Sequence, residues 1–500
     1  MRIKSILIKP IAKRITSIIK KNSLLAESHQ QQFFHRLINK ASHTQFGVDH
    51  GFQQIEHHAD FKRQVPIRDY EALKPYIEKV RAGERDILWP GRPKYFAKTS
   101  GTTSGAKYIP ITRDSMPNHF NTARNALFCQ ATRHNAFRFV DGKMIFLSGS
   151  PRLEDTNGIP TGRLSGIVNH AVPRWLRKNQ LPSYQTNCIE DWDKKIEQII
   201  VETSGRSMTL ISGIPPWVKD YFERLLAHTG SKNIGTLFPE LQFVVHGGVN
   251  FEPYQKSFDQ LIGRPYFNVE TYPASEGFIA FQDAGEEDGL LLNTNSGIFF
   301  EFIQADKIFD DNPERLSLSE VELQTNYAII LTSNAGLWAY NIGDTIEFVS
   351  LRPFRIRVTG RIKHFISAFG EHVIAKEIEQ ALLAMSNQLG VEVSAFTVAP
   401  KIGTSENDHS FHQWVLESKK SNLDVSKIAN LLDTSLQRQN TYYEDLRVSQ
   451  MLKLPEVVIV QPGLFSGYMK SIGKQGGQNK VPILSNDRTF VEGILNYDNN

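Results

Sequence analysis

Four short apolar runs constrain this chain most: Met144-Ile145-Phe146-Leu147, Met208-Thr209-Leu210-Ile211, Phe243-Val244-Val245 and Ile329-Ile330-Leu331. Each is too short for a helix and lacks a regular polar alternation, so each reads as a strand buried on both faces. Segments of helical spacing separate the runs, and that alternation predicts an α/β domain. Upstream, Phe33 to Ala41 and Tyr70 to Arg81 carry helical periodicity, with Pro66 and Asp69 at the entry of the second and Pro75 as a point where it could divide. Residues 1–90 therefore read as mainly helical.

The pattern changes near residue 355. Arg355-Ile356-Arg357-Val358 leads into Gly360 and Arg361, followed by a helix over Ala375 to Met385 and strands over Val393 to Val398 and Gln413 to Leu416. An amphipathic helix with Ile428, Leu431, Leu432 and Leu436 comes next, then the strand Val457 to Val460. The expectation is a large first domain over 1–355 and a small α+β domain over 356–500. Ser471 to Ser485 is rich in Gly, Lys, Gln and Asn and reads as loop. The 500 residues give a prior of about three units, which two unequal domains also satisfy.

Composition excludes several classes. Lys plus Arg number 57 against 53 Asp plus Glu, a net charge of +4, so no strongly basic surface marks a nucleic-acid binder. The 40% hydrophobic and 22% charged residues are enough to bury an ordinary core. Two separated cysteines, Cys129 and Cys188, exclude a disulfide scaffold and a zinc ribbon and suit a reducing, cytoplasmic compartment. No run approaches the roughly 18 apolar residues of a spanning helix.

One local charge anomaly stands out. Arg2, Lys4, Lys9, Lys13, Arg14, Lys20 and Lys21 precede the first acid, Glu27. The apolar stretch among them is too broken for a secretory signal. Ile11, Ile15, Ile18 and Ile19 recur at helical spacing, so residues 1–21 form either a packed helix with a solvated basic face or a weak membrane-surface contact.

The sharpest chemical feature is Thr99-Ser100-Gly101-Thr102-Thr103-Ser104-Gly105-Ala106-Lys107. Glycines and small hydroxyls let backbone N–H groups wrap a phosphate, and Lys107 adds a point charge. It departs from the nucleotide-binding P-loop, because three residues rather than four separate Gly101 from Gly105 and Tyr108 follows the lysine. The competing reading is a solvated Ser/Gly loop.

Further clusters follow. Val245-His246-Gly247-Gly248 and Tyr272-Pro273-Ala274-Ser275-Glu276-Gly277 each put a turn after a strand, where α/β folds bind ligands. Glu276 could hold a cation or cap a helix start, and Tyr272 could stack on a base or line a rim. Pro273 breaks the nucleophile-elbow pattern, which disfavours a serine hydrolase. Asn334 to Asp344 ends in Gly343-Asp344, suited to accept hydroxyl hydrogen bonds from a ribose or to form a hairpin turn. The last cluster comprises Gly360-Arg361-Ile362-Lys363, Phe369 to His372, and Gly477-Gln478-Asn479-Lys480-Val481-Pro482.

The order of these clusters resembles the adenylate-forming superfamily. Within it the chain resembles the Gretchen Hagen three (auxin-responsive promoter) family of acyl acid amido synthetases. The markers are His43-Thr44-Gln45-Phe46-Gly47, Phe61-Lys62-Arg63-Gln64-Val65-Pro66, Tyr70, Tyr76-Ile77-Glu78, Gly83-Glu84, the loop Thr99 to Lys107, Tyr272 to Gly277 and Gly336-Leu337-Trp338-Ala339-Tyr340.

The resemblance implies an adenylate-forming first domain, a mobile carboxyl-terminal lid, and ATP and Mg2+ as cofactors. It implies that Ser100, Gly101, Thr102, Thr103, Gly105 and Lys107 grip the ATP phosphates, with Gly247, Gly248, Tyr272 and Ser275 completing the nucleotide site. Glu276 would ligate magnesium, Asp344 would hold the ribose with Arg361, and Arg361 and Lys363 would flank the hinge. Lys480 would serve adenylation, with Lys474 the alternative. Partners would be a carboxylic acid and an amine, the latter an amino acid. An acyl-CoA ligase using the same adenylate, and an inactive membrane-associated scaffold, are the alternatives. Leu147 to Ser150 and Ser212 to Trp217 are candidate acyl-pocket segments.

Overall fold

The computed structural model describes residues 3–100, 106–170, 172, 174–248, 251–362, 365–366, 373–401, 410–420, 423–448, 452–474, 481–485 and 488–498. The chain divides into two compact units. One comprises Met1–Gln304, Asp310–Ile342 and Glu347–Arg357; the other comprises Ala305–Phe309, Gly343–Ile346 and Val358–Asn500.

In the first unit the four apolar runs are strands, as the alternation predicted. Three of the runs fall in Lys143–Phe146, Met208–Ser212 and Phe243–Gly247, which lie side by side and parallel with Phe267–Pro273, and the fourth lies in the antiparallel strand Asn326–Ser333. Ile145, Ile211 and Val244 face one layer, of helices Trp192–Thr203, Pro215–Thr229 and Glu252–Ile262. Met144, Leu210, Phe243 and Val269 face the other, which includes helix Met116–Arg133. With both faces covered, Met208–Ser212 and Phe243–Gly247 in the middle of this group are mainly apolar and buried.

Antiparallel strands Phe278–Phe281 and Leu290–Leu292 extend this sheet, joining it to strands Phe354–Arg361, Tyr340–Leu351, Asn326–Ser333 and Ile298–Gln304. A separate four-stranded sheet carries the hairpin Tyr95–Ser100 and Ala106–Ile111, beside Ile159–Gly162 and Glu154–Thr156.

The amino-terminal region is built from helices Ile3–Ser23, Ala26–Ala41, Gln45–Asp49, His58–Gln64 and Tyr70–Arg81. The last is a single helix, not divided at Pro75. Asp69 caps it by accepting from the Ala72 amide at 3.1 Å, and Tyr70, Leu73, Ile77 and Val80 bury one face. Pro75 forfeits one backbone bond, near the helix start, and that burial outweighs it. The region is fastened to the sheet by a buried triad: Glu301, with a fully buried side chain, accepts from Arg315 Nε at 2.9 Å, Arg315 Nη2 at 2.7 Å and His58 Nε2 at 2.7 Å.

The second unit contains antiparallel strands Ala395–Lys401 and Phe411–Glu417, with Glu456–Val460 parallel to the latter. Trp414 and Leu416 pack with helices Ala375–Leu389 and Val425–Gln439, while Val415 faces Phe465, Val491 and Ile494. This unit departs from the sequence expectation in two places. Helices Leu464–Ser471 and Thr489–Asp498 lie where the sequence pattern shows none, and part of Ser471 to Ser485 is not free loop. Leu484 is fully buried, and Val398 donates its amide to Ile483 O at 2.9 Å while accepting from Ser485 N at 3.0 Å. The polar composition hid one edge contact whose partner lies far away in sequence.

No helix among the described residues is long and apolar enough to cross a membrane. Cys129 and Cys188 are free thiols, both buried.

Candidate functional site

The stems of the candidate phosphate loop form a regular antiparallel hairpin in which Thr99 pairs with Lys107 and Ser100 with Ala106. Gly101, Thr102, Thr103 and Gly105 lie outside the described residues. Lys107 Nζ sits 5.6 Å from the centroid of the Tyr70 ring, and the Tyr70 hydroxyl accepts from the Tyr108 amide at 3.0 Å. Two markers thus fix the outgoing stem, Tyr70 through its hydroxyl and Lys107 through a cation–π contact.

The far end of that stem is held by a different motif. Thr112 donates its hydroxyl to Asn334 O at 2.7 Å, and Asn334 Nδ2 donates to Asp114 O at 2.9 Å. Gly336 has φ +86°, and a Cβ there would lie 2.7 Å from Leu88 Cβ. Trp338 is fully buried and donates to Leu88 O at 3.0 Å. The Gly336 to Tyr340 marker therefore packs against the segment around Leu88 that leads into the hairpin.

Strands Phe243–Gly247 and Phe267–Pro273 bring the next two clusters together. Gly247 pairs with Thr271, and a Cβ on Gly247 would lie 2.2 Å from Thr271 O, so the close backbone approach demands glycine. Gly248 follows at φ +83°. Next to it, His246 is 2% exposed, stacks on Phe251 and contacts Asn268 Oδ1 through Nε2. Burial lowers its pKa to about 4, leaving it neutral at pH 7.

Ala274 and Gly277 exchange backbone hydrogen bonds of 3.0 and 3.2 Å, so residues 274–277 are a tight turn between strands. Glu276 is half-buried at its tip, and no helix begins there. Ser275 is buried, and Tyr272 is 8% exposed, packed into the sheet with little ring surface open for stacking. The turn is oriented by Asn118, whose Oδ1 accepts from the Phe278 amide at 2.6 Å. The sequence reading missed Asn118; its only local signal is a polar residue in the first turn of a helix.

The two candidate acyl-pocket segments follow neighbouring parallel strands, with Phe146 paired to Ser212 and Ser212 to Val245. The structure adds two cations here. Lys195 is 3% exposed and donates to Ser148 O at 2.8 Å and Asn187 O at 2.9 Å. Burial, with Arg163 nearby, lowers its pKa to about 8. A Cβ on Gly149 would lie 2.5 Å from Arg163 Cδ, so glycine makes room for that side chain.

In the second unit Asp344 lies within the long strand Tyr340–Leu351 instead of in a hairpin turn. Gly343 precedes it at φ +83° and its carbonyl accepts from the Ile362 amide at 2.8 Å. Arg361 donates Nε to Asp344 Oδ1 at 2.7 Å, with side-chain exposures of 53% and 16%. Arg361 is the exposed member of the pair, and Asp344 is largely covered. Lys363, Lys480 and Phe369 to His372 lie outside the described residues. Lys474 is exposed, with its backbone amide bonded to Met469 O at 2.8 Å.

Among the described residues no three His, Cys, Asp or Glu side chains gather as a metal cage. Magnesium commonly binds through one or two carboxylates plus substrate phosphates and water, and Glu276 at an accessible turn fits that mode.

Comparison with known proteins covers most of the chain. The GH3 family N-terminal domain matches residues 16–200, the GH3 family central domain matches 291–361, and the GH3 family C-terminal domain matches 376–489. Jasmonoyl–L-amino acid synthetase JAR4 of Nicotiana attenuata is 22% identical over 91% of this chain and 90% of its own. The solved structure of AtGH3.15 acyl acid amido synthetase in complex with 2,4-DB superposes with a TM-score of 0.77 at 15% identity, covering 97% of this chain and 96% of that one. A 2-hydroxyisobutyryl-CoA ligase in the postadenylation state shares the fold more distantly, at TM-score 0.56 and 13% identity over 98% and 92% of the two chains.

Proposed function

The chain belongs to the GH3 family, and from that membership we propose that it is an ATP-dependent acyl acid amido synthetase. The observation that carries the reading is the near end-to-end likeness to an enzyme named for joining an acyl acid to an amino acid.

In the proposed reaction a carboxylate oxygen attacks the α-phosphorus of ATP. The new O–P bond forms as the bond to pyrophosphate breaks. The amine of an acceptor, an amino acid in this reading, then attacks the acyl carbon; the C–N bond forms, AMP leaves with the C–O bond electrons, and the nitrogen loses a proton. Charge on the separating pyrophosphate is the main electrostatic demand. The loop from Ser100 to Gly105 with Lys107 would meet it, aided by Lys480. Magnesium held at Glu276 would supply further charge neutralisation. Asp344 would accept hydrogen bonds from the ribose, with Arg361 fixing its carboxylate. Gly247, Gly248, Tyr272 and Ser275 would shape the nucleotide wall, and the segments after Phe146 and Ser212 would receive the acyl group. The lid role of the carboxyl-terminal unit, with Arg361 and Lys363 at its hinge, belongs to the same proposal. So does a cytoplasmic setting, where ATP is abundant.

The test is pyrophosphate release over pooled carboxylic acids, with and without amino acids, followed by product mass. Amide and AMP together support the reading. Carboxylate-dependent pyrophosphate release giving only a CoA thioester would make it an acyl-CoA ligase, and absence of nucleotide binding by calorimetry would favour the inactive scaffold.

A further inference from the structure

The basic amino-terminal helix resolves into two faces that the sequence pattern did not separate. Helix Ile3–Ser23 packs through Ala12 (0% exposed), Ser5 and Thr16, with Ile8, Ile15 and Ile19 against the cluster around Phe128 and Phe137. Thr16 donates its hydroxyl to Phe128 O at 3.2 Å, and Lys4 Nζ donates to Asn179 Oδ1 at 2.7 Å. These contacts fix the helix's rotation about its axis.

Two adjacent ridges face solvent as a result. One is Leu7, Ile11, Arg14, Ile18 and Lys21; the other is Ile6, Pro10, Lys13, Ser17 and Lys20. Ile6 is 70% exposed, Leu7 63%, Ile11 51% and Ile18 47%. Leu24 and Leu25, just past the helix, are also exposed. A helix of 21 residues is about 31 Å long, so aliphatic side chains stand in water along its length with cations interleaved. Single exposed aliphatics are ordinary, but this many along one rigid face marks an interaction surface.

We propose that this face docks on an anionic lipid bilayer. The charge selects the occupant. Lys13, Arg14, Lys20 and Lys21 share the face, and no acid precedes Glu27 in the sequence. A second copy meeting it about a two-fold axis would bring like charges together. Nucleic acid would satisfy the cations and leave Leu7, Ile11 and Ile18 wet. A bilayer surface satisfies both: aliphatic groups enter the headgroup boundary while long cationic side chains remain among anionic headgroups. The packed face stays on the protein, so docking needs no unfolding.

The test is cosedimentation of the full chain with vesicles of phosphatidylglycerol and phosphatidylcholine in equal parts, or of phosphatidylcholine alone, together with sedimentation velocity without lipid. Wild type is expected to bind the anionic vesicles at least about tenfold more tightly, with binding weakened by salt. At roughly fivefold per cation, Lys20→Ala/Lys21→Ala should bind about 25-fold more weakly. Leu7→Ser/Ile11→Ser/Ile18→Ser should lose binding while keeping its melting temperature and pyrophosphate release. Equal binding to both vesicle types, no binding to anionic vesicles, or unchanged binding by either variant overturns the proposal. Wild-type dimerisation abolished in the serine variant would assign the face to a second copy instead.

Discussion

Replacing Arg315 by Met should be among the most damaging single changes outside the candidate site. The Glu301 side chain has no exposed surface, and Arg315 supplies two of its three side-chain hydrogen bonds. Burial by itself would raise the Glu301 pKa; the guanidinium and the bond from His58 outweigh it and hold the carboxyl below its ordinary 4.5. Without Arg315 the carboxylate is left buried beside one histidine, a situation that costs about 3–5 kcal/mol. The Val65 carbonyl also loses the 2.6 Å bond from Arg315 Nη1. The companion variant Arg315→Met/Glu301→Leu removes the charge altogether, and Glu301 sits mid-strand opposite Ile330, where an apolar residue fits. It should lose only about 1–2 kcal/mol, mainly for the unpaired carbonyl. Urea melts followed by the fluorescence of the fully buried Trp338 would measure both. The acid side gives a second check. A carboxyl with a depressed folded pKa contributes stability that is fully present above pH 4.5 and is lost as pH falls through the folded value. In Arg315→Met burial raises the same carboxyl's pKa, so the gap between wild type and variant should start to narrow above pH 4.5 and go on narrowing below it. A single variant losing under about 1 kcal/mol, or a double variant losing as much as the single, refutes the reasoning.

Lys195 should make stability rise with alkalinity. Its buried amine, at about 8 against 10.5 ordinarily, sheds its proton before the unfolded chain does, so wild type should gain up to roughly 3 kcal/mol between those pH values relative to Lys195→Met. Parallel melts at pH 8 and 10 test this, and identical slopes would sink it. Asp344→Asn should raise the KM for ATP about 10- to 100-fold in the pyrophosphate assay, the worth of one charge-assisted hydrogen bond. It should barely move the melting temperature, because its partner Arg361 is 53% exposed. An unchanged KM would remove Asp344 from the ribose role.

Some of this was readable from residue order because the responsible physics is local. Fully buried parallel strands need apolar runs, so Met208 to Ile211 and Phe243 to Val245 announced themselves. Asp69 could be read at the entry of helix Tyr70–Arg81 because a cap acts over three residues. Helix Thr489–Asp498 escaped because its apolar positions gain meaning only against Phe465 and Val415. Gly343-Asp344 suits either a ribose ligand or a turn by local residue type, and only the pairing of strand Tyr340–Leu351 shows that it is not a turn.

By itself the sequence determined the alternation that makes an α/β body, the small α+β unit after it, and the ordered markers of the GH3 family. Tertiary structure alone decided which isoleucines of the first helix are buried, that Glu301 meets an arginine and a histidine, and that Asn118 steers the turn bearing Glu276. Periodicity is a property of neighbours along the chain. Pairing is a property of packing, which joins His58 to Glu301 across 243 positions and leaves no trace of that partnership in either local sequence.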